Sequence, residues 1–278
     1  MAVSRAAIAR RAVLRAMILS LALLLPPAAA WAEPQALCTL VTDAATGAVL
    51  VEEGDCHSRT TPASTFKIPL AVMAYDAGLL SDAHAPVMAF RPGDPDWGGA
   101  NWTRDTDPAD WMRYSVVWYS QRLTHAMGAG TLARYAQAFG YGNADVSGDP
   151  GPGNGLDRAW IASSLQVSPH GQAAFLRALV QGTLPAAPQA MEHTRALVEQ
   201  QEVGDWVLHG KTGGAYPRRA DRSFDYARGW GWYVGWATQG KRTLVFVRLT
   251  QARERSESSP GLLTRDAFVQ DWPGLAGR

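Results

Sequence analysis

Two of the three lysines in this 278-residue chain lie in short motifs that constrain its chemistry. Lys67 ends the tetrad S-T-F-K at residues 64–67, and Lys211 begins the triplet K-T-G at residues 211–213. A serine and a lysine three residues apart lie on one face of a helix, one turn apart, as a nucleophile and its base must. We therefore expect Ser64 to open a helix as the candidate nucleophile, with Lys67 as its base.

The first 32 residues have the composition of an export signal. A basic stretch with four arginines precedes an apolar run over residues 16–25, and alanines occupy the two positions that a signal peptidase reads before Glu33. This apolar run is too short to span a bilayer. We expect residues 1–32 to be a cleaved signal peptide, and residues 33–278 to form one periplasmic catalytic domain without a membrane span.

The charge of the predicted mature chain argues against nucleic-acid binding. Removal of the signal would take four of the 26 basic residues and none of the 25 acidic ones, which leaves the chain slightly acidic. A nucleic-acid-binding domain would instead carry a basic surface. The remaining length is enough for one large hydrophobic core.

Cys38 and Cys56 are the only cysteines in the sequence, and both lie in the predicted mature chain. They flank a predicted hairpin with strands over residues 37–42 and 48–52 and a turn at 43–47. Because an exported chain folds in an oxidising compartment, we expect a disulfide across this hairpin. Two buried thiols are the alternative.

Hydrophobic patterning predicts strands towards both ends of the chain and helices between them. The later strands are expected over residues 205–209, 229–237 and 242–250, and the helices over residues 68–77, 109–127, 131–139, 169–181, 189–201 and 262–271. This order lacks the regular alternation of a parallel doubly wound sheet. The predicted fold class is α/β of the α+β type: an antiparallel sheet flanked by terminal helices, with an inserted helical lobe.

Three more segments lie in order between the two lysine motifs: Ser115-Val116-Val117, Tyr141-Gly142-Asn143 and Trp160. The whole set resembles the class D, or oxacillinase-type, serine β-lactamases, whose pattern is S-x-x-K, S-x-V, [YF]-G-N, a buried tryptophan and K-[ST]-G. The resemblance spans nearly the whole predicted mature chain. It implies the fold of serine β-lactamases and penicillin-binding proteins, and hydrolysis of β-lactam antibiotics, which confers resistance.

The resemblance also implies a role for each catalytic residue. Lys67 would react with CO2 to form an N-carbamate that serves as general base in acylation and deacylation, and Trp160 would hold this carbamate through its indole N–H. Ser115 would relay a proton towards the lactam nitrogen. The backbone N–H groups of Ser64 and Gly214 would form the oxyanion hole.

Substrate binding is expected to involve Val117, Lys211, Thr212, Gly213 and Arg265. Lys211 and Thr212 would contact the substrate carboxylate, and Arg265 would bind it in a bidentate manner. Arg248 is a rival for this role, although its place in a predicted strand suggests that it faces solvent. The predicted partners are small β-lactams, and the chain would act as a monomer or homodimer.

Several other classes of protein fit the sequence less well. Class A enzymes carry S-D-N at the second motif and deacylate with a glutamate, whereas Val116 and Val117 follow Ser115 here and no glutamate lies between Glu53 and Glu192. A β-lactam receptor that stays acylated, and a penicillin-binding protein acting on peptidoglycan peptides, remain alternatives. The spacing of the histidines predicts no metal site, and no cofactor other than CO2 is expected.

Overall fold

The computed structural model describes residues 34–277, which fold around a six-stranded antiparallel sheet in the order β2-β1-β6-β5-β4-β3. The strands are β1 (Gln35–Asp43), β2 (Val49–Gly54), β3 (Gln200–Val203), β4 (Trp206–Ala215), β5 (Trp230–Gln239) and β6 (Arg242–Gln251). β1 pairs with β6, so the two ends of the chain meet in one sheet as expected. The predicted signal peptide, residues 1–32, and its cleavage site lie outside the described residues.

The helices are α1 (Lys67–Asp76), α2 (Pro108–Tyr114), α3 (Val117–Met127), α4 (Ala129–Ala138), α5 (Gly155–Arg158), α6 (Pro169–Gln181), α7 (Pro188–Leu197) and α8 (Pro260–Ala276). The first seven lie between β2 and β3, which confirms the inserted helical lobe. Between residues 34 and 277, no helix has the length and hydropathy needed to cross a membrane.

Each face of the sheet packs against a different helical layer. On one face the aromatic side chains of α8 pack on the strands, with the Phe268 ring 4.7 Å from that of Phe246. The other face shares a larger core with the helical lobe. The predicted cover of the sheet by helices is therefore confirmed for the described residues, with α8 on one face and the helical lobe on the other.

The predicted helix over residues 189–201 extends too far at its C-terminal end. α7 ends at Leu197, and Gln200 begins the short edge strand β3, which pairs with β4. Gln200, Gln201 and Glu202 are all exposed, so β3 shows none of the apolar alternation by which a strand is recognised in a sequence. Residues 200–203 therefore form a strand because they pair with β4.

The predicted helix over residues 109–127 is in fact two helices, α2 and α3. Ser115 separates them with a φ of 58°, in the left-handed region that few side chains adopt. The residues on either side are apolar, and no glycine or proline marks the break, so the pattern reads as one helix. Burial of Val116 and Val117 in the core stabilises the break.

The predicted disulfide is confirmed. Cys38 of β1 and Cys56, just after β2, are bonded with their Cα atoms 5.1 Å apart, and both are buried. The bond closes the N-terminal hairpin and fixes the start of the segment that leads to Ser64.

We predict that the Cys38→Ala/Cys56→Ala double variant loses about 3 kcal/mol of free energy of unfolding, because the bond closes a short loop in the unfolded chain. Urea denaturation of the oxidised parent and the double variant measures this difference. Dithiothreitol should destabilise the parent and leave the variant unchanged. Equal unfolding midpoints for the oxidised parent and the variant would contradict the prediction.

Candidate active site

Ser64 lies in a single turn of 3-10 helix, Ala63–Phe66, that runs directly into α1. Thr65 fixes this turn, since its backbone N–H and its hydroxyl both donate to the carbonyl of Pro62, at 3.2 and 2.7 Å. Ala63 has a φ of 51°, which is unfavourable for a residue with a Cβ. The helix start expected at Ser64 is confirmed, and strained backbone precedes this candidate nucleophile.

Lys67 is the first residue of α1 and is 1% exposed. No group in residues 34–277 forms a hydrogen bond with its Nζ. Burial, and secondly the positive charge of Lys211, hold the pKa of Lys67 well below its ordinary value. Both causes favour the neutral amine, which has a free lone pair.

Trp160 is buried close to this lysine's helix. Its ring stacks on that of Phe66 with the centroids 5.5 Å apart, and it lines the same cavity as Ser64. The hydroxyl of Thr61, three residues before Ser64, donates to the carbonyl of Trp160 at 2.8 Å. The tryptophan is therefore held against the turn that carries the nucleophile.

The Tyr141-Gly142-Asn143 motif holds the loop that follows Trp160. The Asn143 amide donates to the carbonyl of Ser164 at 2.8 Å and accepts from the backbone N–H of Gln166 at 3.0 Å. Gly142 has a φ of 61°, and a Cβ there would lie 2.1 Å from the carbonyl oxygen of Gln166. Only glycine allows this close approach.

A chain of buried hydrogen bonds joins this motif to the nucleophile's turn. The Tyr141 hydroxyl donates to Gln172 at 3.2 Å, and the Gln172 amide donates to the Thr65 hydroxyl at 2.7 Å. The sequence reasoning missed Gln172 and Thr61. No sequence signal marks either residue; only the structure shows that Gln172 is 1% exposed, and a buried polar side chain needs a partner.

Lys211 lies inside β4, not beyond the end of a strand as the sequence suggested. It is 4% exposed, and its ammonium donates to the Ser115 hydroxyl at 2.6 Å and to the carbonyl of Thr212 at 3.1 Å. Burial lowers the pKa of Lys211 to about 8; the charge of Glu199 opposes this shift, and the charge of Arg265 adds to it. The break between α2 and α3 thus presents Ser115 to Lys211.

Gly213 lets β4 approach the turn at Ser64. A Cβ at Gly213 would lie 3.0 Å from both the Pro62 carbonyl oxygen and the Thr65 side chain. On α8, a Cβ at Gly261 would lie 2.7 Å from the Gly213 carbonyl oxygen. The strand is packed between the turn and α8, which explains the glycine of the K-T-G triplet.

These elements surround a cavity of about 590 Å³. It is lined by six of the residues predicted to form the site: Ser64, Ser115, Val117, Trp160, Thr212 and Gly214. Aromatic side chains, including Trp97, Trp102, Tyr114 and Tyr216, form much of the remaining wall. The cavity therefore combines the candidate nucleophile with several aromatic side chains.

The two candidate arginines lie elsewhere. Arg265 of α8 lines a smaller neighbouring cavity of about 160 Å³ with Lys211 and Thr212, and its Nε donates to Asp266 at 2.8 Å. Its carboxylate-binding role therefore stays a prediction. The expectation that Arg248 faces solvent is wrong: it is 7% exposed and pairs with Asp271 of α8 at 3.0 Å.

Sequence comparisons agree with this architecture. Residues 37–268 match the family described as the penicillin binding protein transpeptidase domain. The chain is 37% identical over 241 residues to Beta-lactamase OXA-9 of Klebsiella pneumoniae, covering 86% of this chain and 88% of that protein. It is 35% identical over 214 residues to Beta-lactamase OXA-1 of Escherichia coli, covering 76% and 74%.

A structural comparison gives the same result at the level of the fold. The crystal structure of the OXA-427 class D β-lactamase superposes with a TM-score of 0.81 and 42% sequence identity, covering 86% of this chain and 98% of that one. Such identity over most of both chains, with residues from four of the five motifs around one cavity, shows that the chain belongs to the class D serine β-lactamases.

Proposed function

We propose that this class D β-lactamase hydrolyses β-lactam antibiotics through an acyl-enzyme on Ser64, with an N-carbamate of Lys67 as general base in both half-reactions. The burial and the lowered pKa of Lys67 are the observations that support the proposal most directly. Its amine is buried one turn from the nucleophile, has no hydrogen-bond partner in the described chain, and has a depressed pKa. An ammonium cannot accept a proton, whereas a carbamate can.

The surroundings of Lys67 favour its reaction with CO2. The neutral amine adds to the carbon of CO2 and loses a proton, which gives an anionic carbamate. The indole N–H of Trp160 is a donor without acceptor character, so it suits a carbamate oxygen. The positive charge of Lys211, which lowers the pKa of the ammonium, would stabilise the carbamate anion in its place.

Each half-reaction then follows from the positions of the side chains. The carbamate removes the proton of the Ser64 hydroxyl, whose oxygen attacks the lactam carbonyl, and the backbone N–H groups of Ser64 and Gly214 stabilise the oxyanion. Ser115, bonded to Lys211, passes a proton to the lactam nitrogen as the C–N bond breaks, and the proton taken from Ser64 replaces it, so the carbamate is again an anion before deacylation. In deacylation the carbamate removes a proton from water, which attacks the ester and releases Ser64.

Both the K-T-G residues of β4 and the aromatic side chains of the cavity are proposed to contact the substrate. Lys211, Thr212 and Gly213 of β4 are proposed to bind the substrate carboxylate, with Arg265 contributing from the neighbouring cavity. Val117 excludes water next to the base. The aromatic wall suits an apolar side chain on the β-lactam.

We further propose that the chain acts in the periplasm after cleavage of residues 1–32. The buried Cys38–Cys56 disulfide supports an oxidising compartment, because such bonds are rare in the reducing cytosol.

Replacing the base should stop turnover. We predict that Lys67→Ala lowers kcat for a chromogenic cephalosporin by roughly 10²–10⁴-fold, that added bicarbonate does not restore it, and that any acyl-enzyme formed persists in mass spectra. Lys241→Ala is the control, since Lys241 is exposed in the turn between β5 and β6. Normal turnover by a folded Lys67→Ala protein would exclude the proposed base, and a long-lived acyl-enzyme in the parent would indicate a sensor.

The indole N–H can be removed while the ring is kept. We predict that Trp160→Phe needs about 10- to 100-fold more bicarbonate than the parent for half-maximal activity, because a hydrogen bond to the anionic carbamate is lost. Trp272→Phe is the control, since Trp272 is a buried residue of α8 in the other core, and its N–H has no partner in residues 34–277 that the substitution could remove. An unchanged bicarbonate requirement in Trp160→Phe would contradict the assigned contact.

Substrate recognition should weaken at alkaline pH. Because the pKa of Lys211 is lowered to about 8, its positive charge is present below that pH and lost above it. We predict that kcat/KM, which reports the free enzyme, falls as pH rises through about 8 in saturating bicarbonate. Lys211→Arg, which stays charged, should not show this decline. The same decline in both proteins would show that another group titrates.

A further inference from the structure

Three side chains that commonly bind metals meet outside the active site. Glu52 lies on β2, His57 follows the disulfide-bonded Cys56, and His170 lies in the first turn of α6. Their ligand atoms all lie within 4.8 Å of one another. We call this group the Glu52–His57–His170 cluster.

The geometry of the cluster is convergent. The Nε2 atoms of His170 and His57 lie 2.9 and 3.6 Å from the same carboxylate oxygen of Glu52. The two imidazole rings stack, with centroids 4.4 Å apart and an interplanar angle of 25°. Stacked rings direct both Nε2 atoms to the same side, towards the carboxylate.

The backbone holds the three residues in place. Cys56 is fixed to β1 by the disulfide, and the backbone N–H of His170 donates to the carbonyl of Cys56 at 3.2 Å. Beyond His57, Thr60 pairs with Val167, just before α6. Little rearrangement is therefore needed to form a site here, which reduces the entropic cost of binding.

We propose that the Glu52–His57–His170 cluster binds one divalent transition-metal ion, with Zn²⁺ as the ion that its ligands suit best. Two neutral imidazoles and one carboxylate form a donor set found in open zinc sites, with metal–ligand distances of about 2.0–2.2 Å. At a tetrahedral angle, such distances place the ligand atoms roughly 3.2–3.6 Å apart. The two nitrogen–oxygen separations are close to this range.

The fourth position of such a site would face solvent. The side chain of His57 is 80% exposed, so water can complete the coordination. The ion would connect β2, the segment that leads from the disulfide to Ser64, and the start of α6. Sequence spacing could not reveal this site, because Glu52 and His170 are 118 residues apart.

Two other histidine–carboxylate pairs provide a comparison within the same chain. His125 lies 2.8 Å from Asp157, and His84 lies 2.7 Å from Asp107. Within residues 34–277, neither pair belongs to a group of three ligand atoms close enough for a metal ion. His125→Gln is therefore a matched control: it removes an exposed histidine bonded to a carboxylate, without a third ligand.

The test is a Zn²⁺ titration of the untagged mature protein by isothermal calorimetry, with Co²⁺ absorption in the visible range as a readout of coordination. We expect one equivalent of Zn²⁺ to bind, and His57→Gln, His170→Gln and Glu52→Gln each to weaken binding at least 10-fold. His125→Gln should bind as the parent does. Hydrolysis of a chromogenic cephalosporin should remain within about twofold in all four variants, because none lies in the catalytic cavity.

Three results would overturn the site: no saturable Zn²⁺ binding by the parent, parent-like affinity in all three cluster variants, or an equal loss in His125→Gln. Circular dichroism of each variant separates loss of a ligand from loss of the fold. The outcome does not depend on the proposed catalytic mechanism, since the calorimetric readout does not require turnover.

Discussion

The burial of one amine determines most of what this active site can do. Lys67 is buried, and its Nζ has no hydrogen-bond partner in the described chain. The positive charge of Lys211 adds to the effect of burial in lowering the pKa of Lys67. A charged ammonium in such a place would be costly, so the fold favours the neutral form. The remaining architecture keeps this amine dry while leaving Ser64 open to the cavity.

Two unfavourable backbone conformations lie close to the cavity that contains Ser64. Ala63 and Ser115 both adopt left-handed backbone conformations; Ala63 precedes the candidate nucleophile, and Ser115 is the proposed proton relay. Such strain persists only where the surrounding packing determines it. Here the sheet and the helical lobe provide the packing. The hydrogen bonds from Tyr141 to Gln172 and from Gln172 to Thr65 hold the turn that contains Ser64.

The motifs predicted where the candidate site lies, because each combines a side chain with a backbone requirement. The positions of Ser64 and Lys67, the disulfide and the antiparallel sheet could all be predicted from local sequence. The break at Ser115 could not, since tertiary burial of Val116 and Val117 stabilises a conformation that local preference disfavours. β3 could not be predicted for a similar reason. Its residues are mostly exposed and form a strand only because they pair with β4.

Long-range pairing explains the remaining differences. Arg248 looks like an ordinary strand residue, but α8 returns across the sheet and places Asp271 beside it. Likewise, the Glu52–His57–His170 cluster brings His170 of α6 beside Glu52 and His57, although Glu52 and His170 are 118 residues apart.

The central claim is that the neutral amine of Lys67 is converted into a carbamate in the working enzyme. The most direct measurement is the ¹³C NMR spectrum of the mature protein in ¹³C-labelled bicarbonate. The account predicts one protein-bound carbamate carbonyl signal that is absent in Lys67→Ala and disappears on acidification together with activity. A fully active enzyme in labelled bicarbonate without that signal would contradict it.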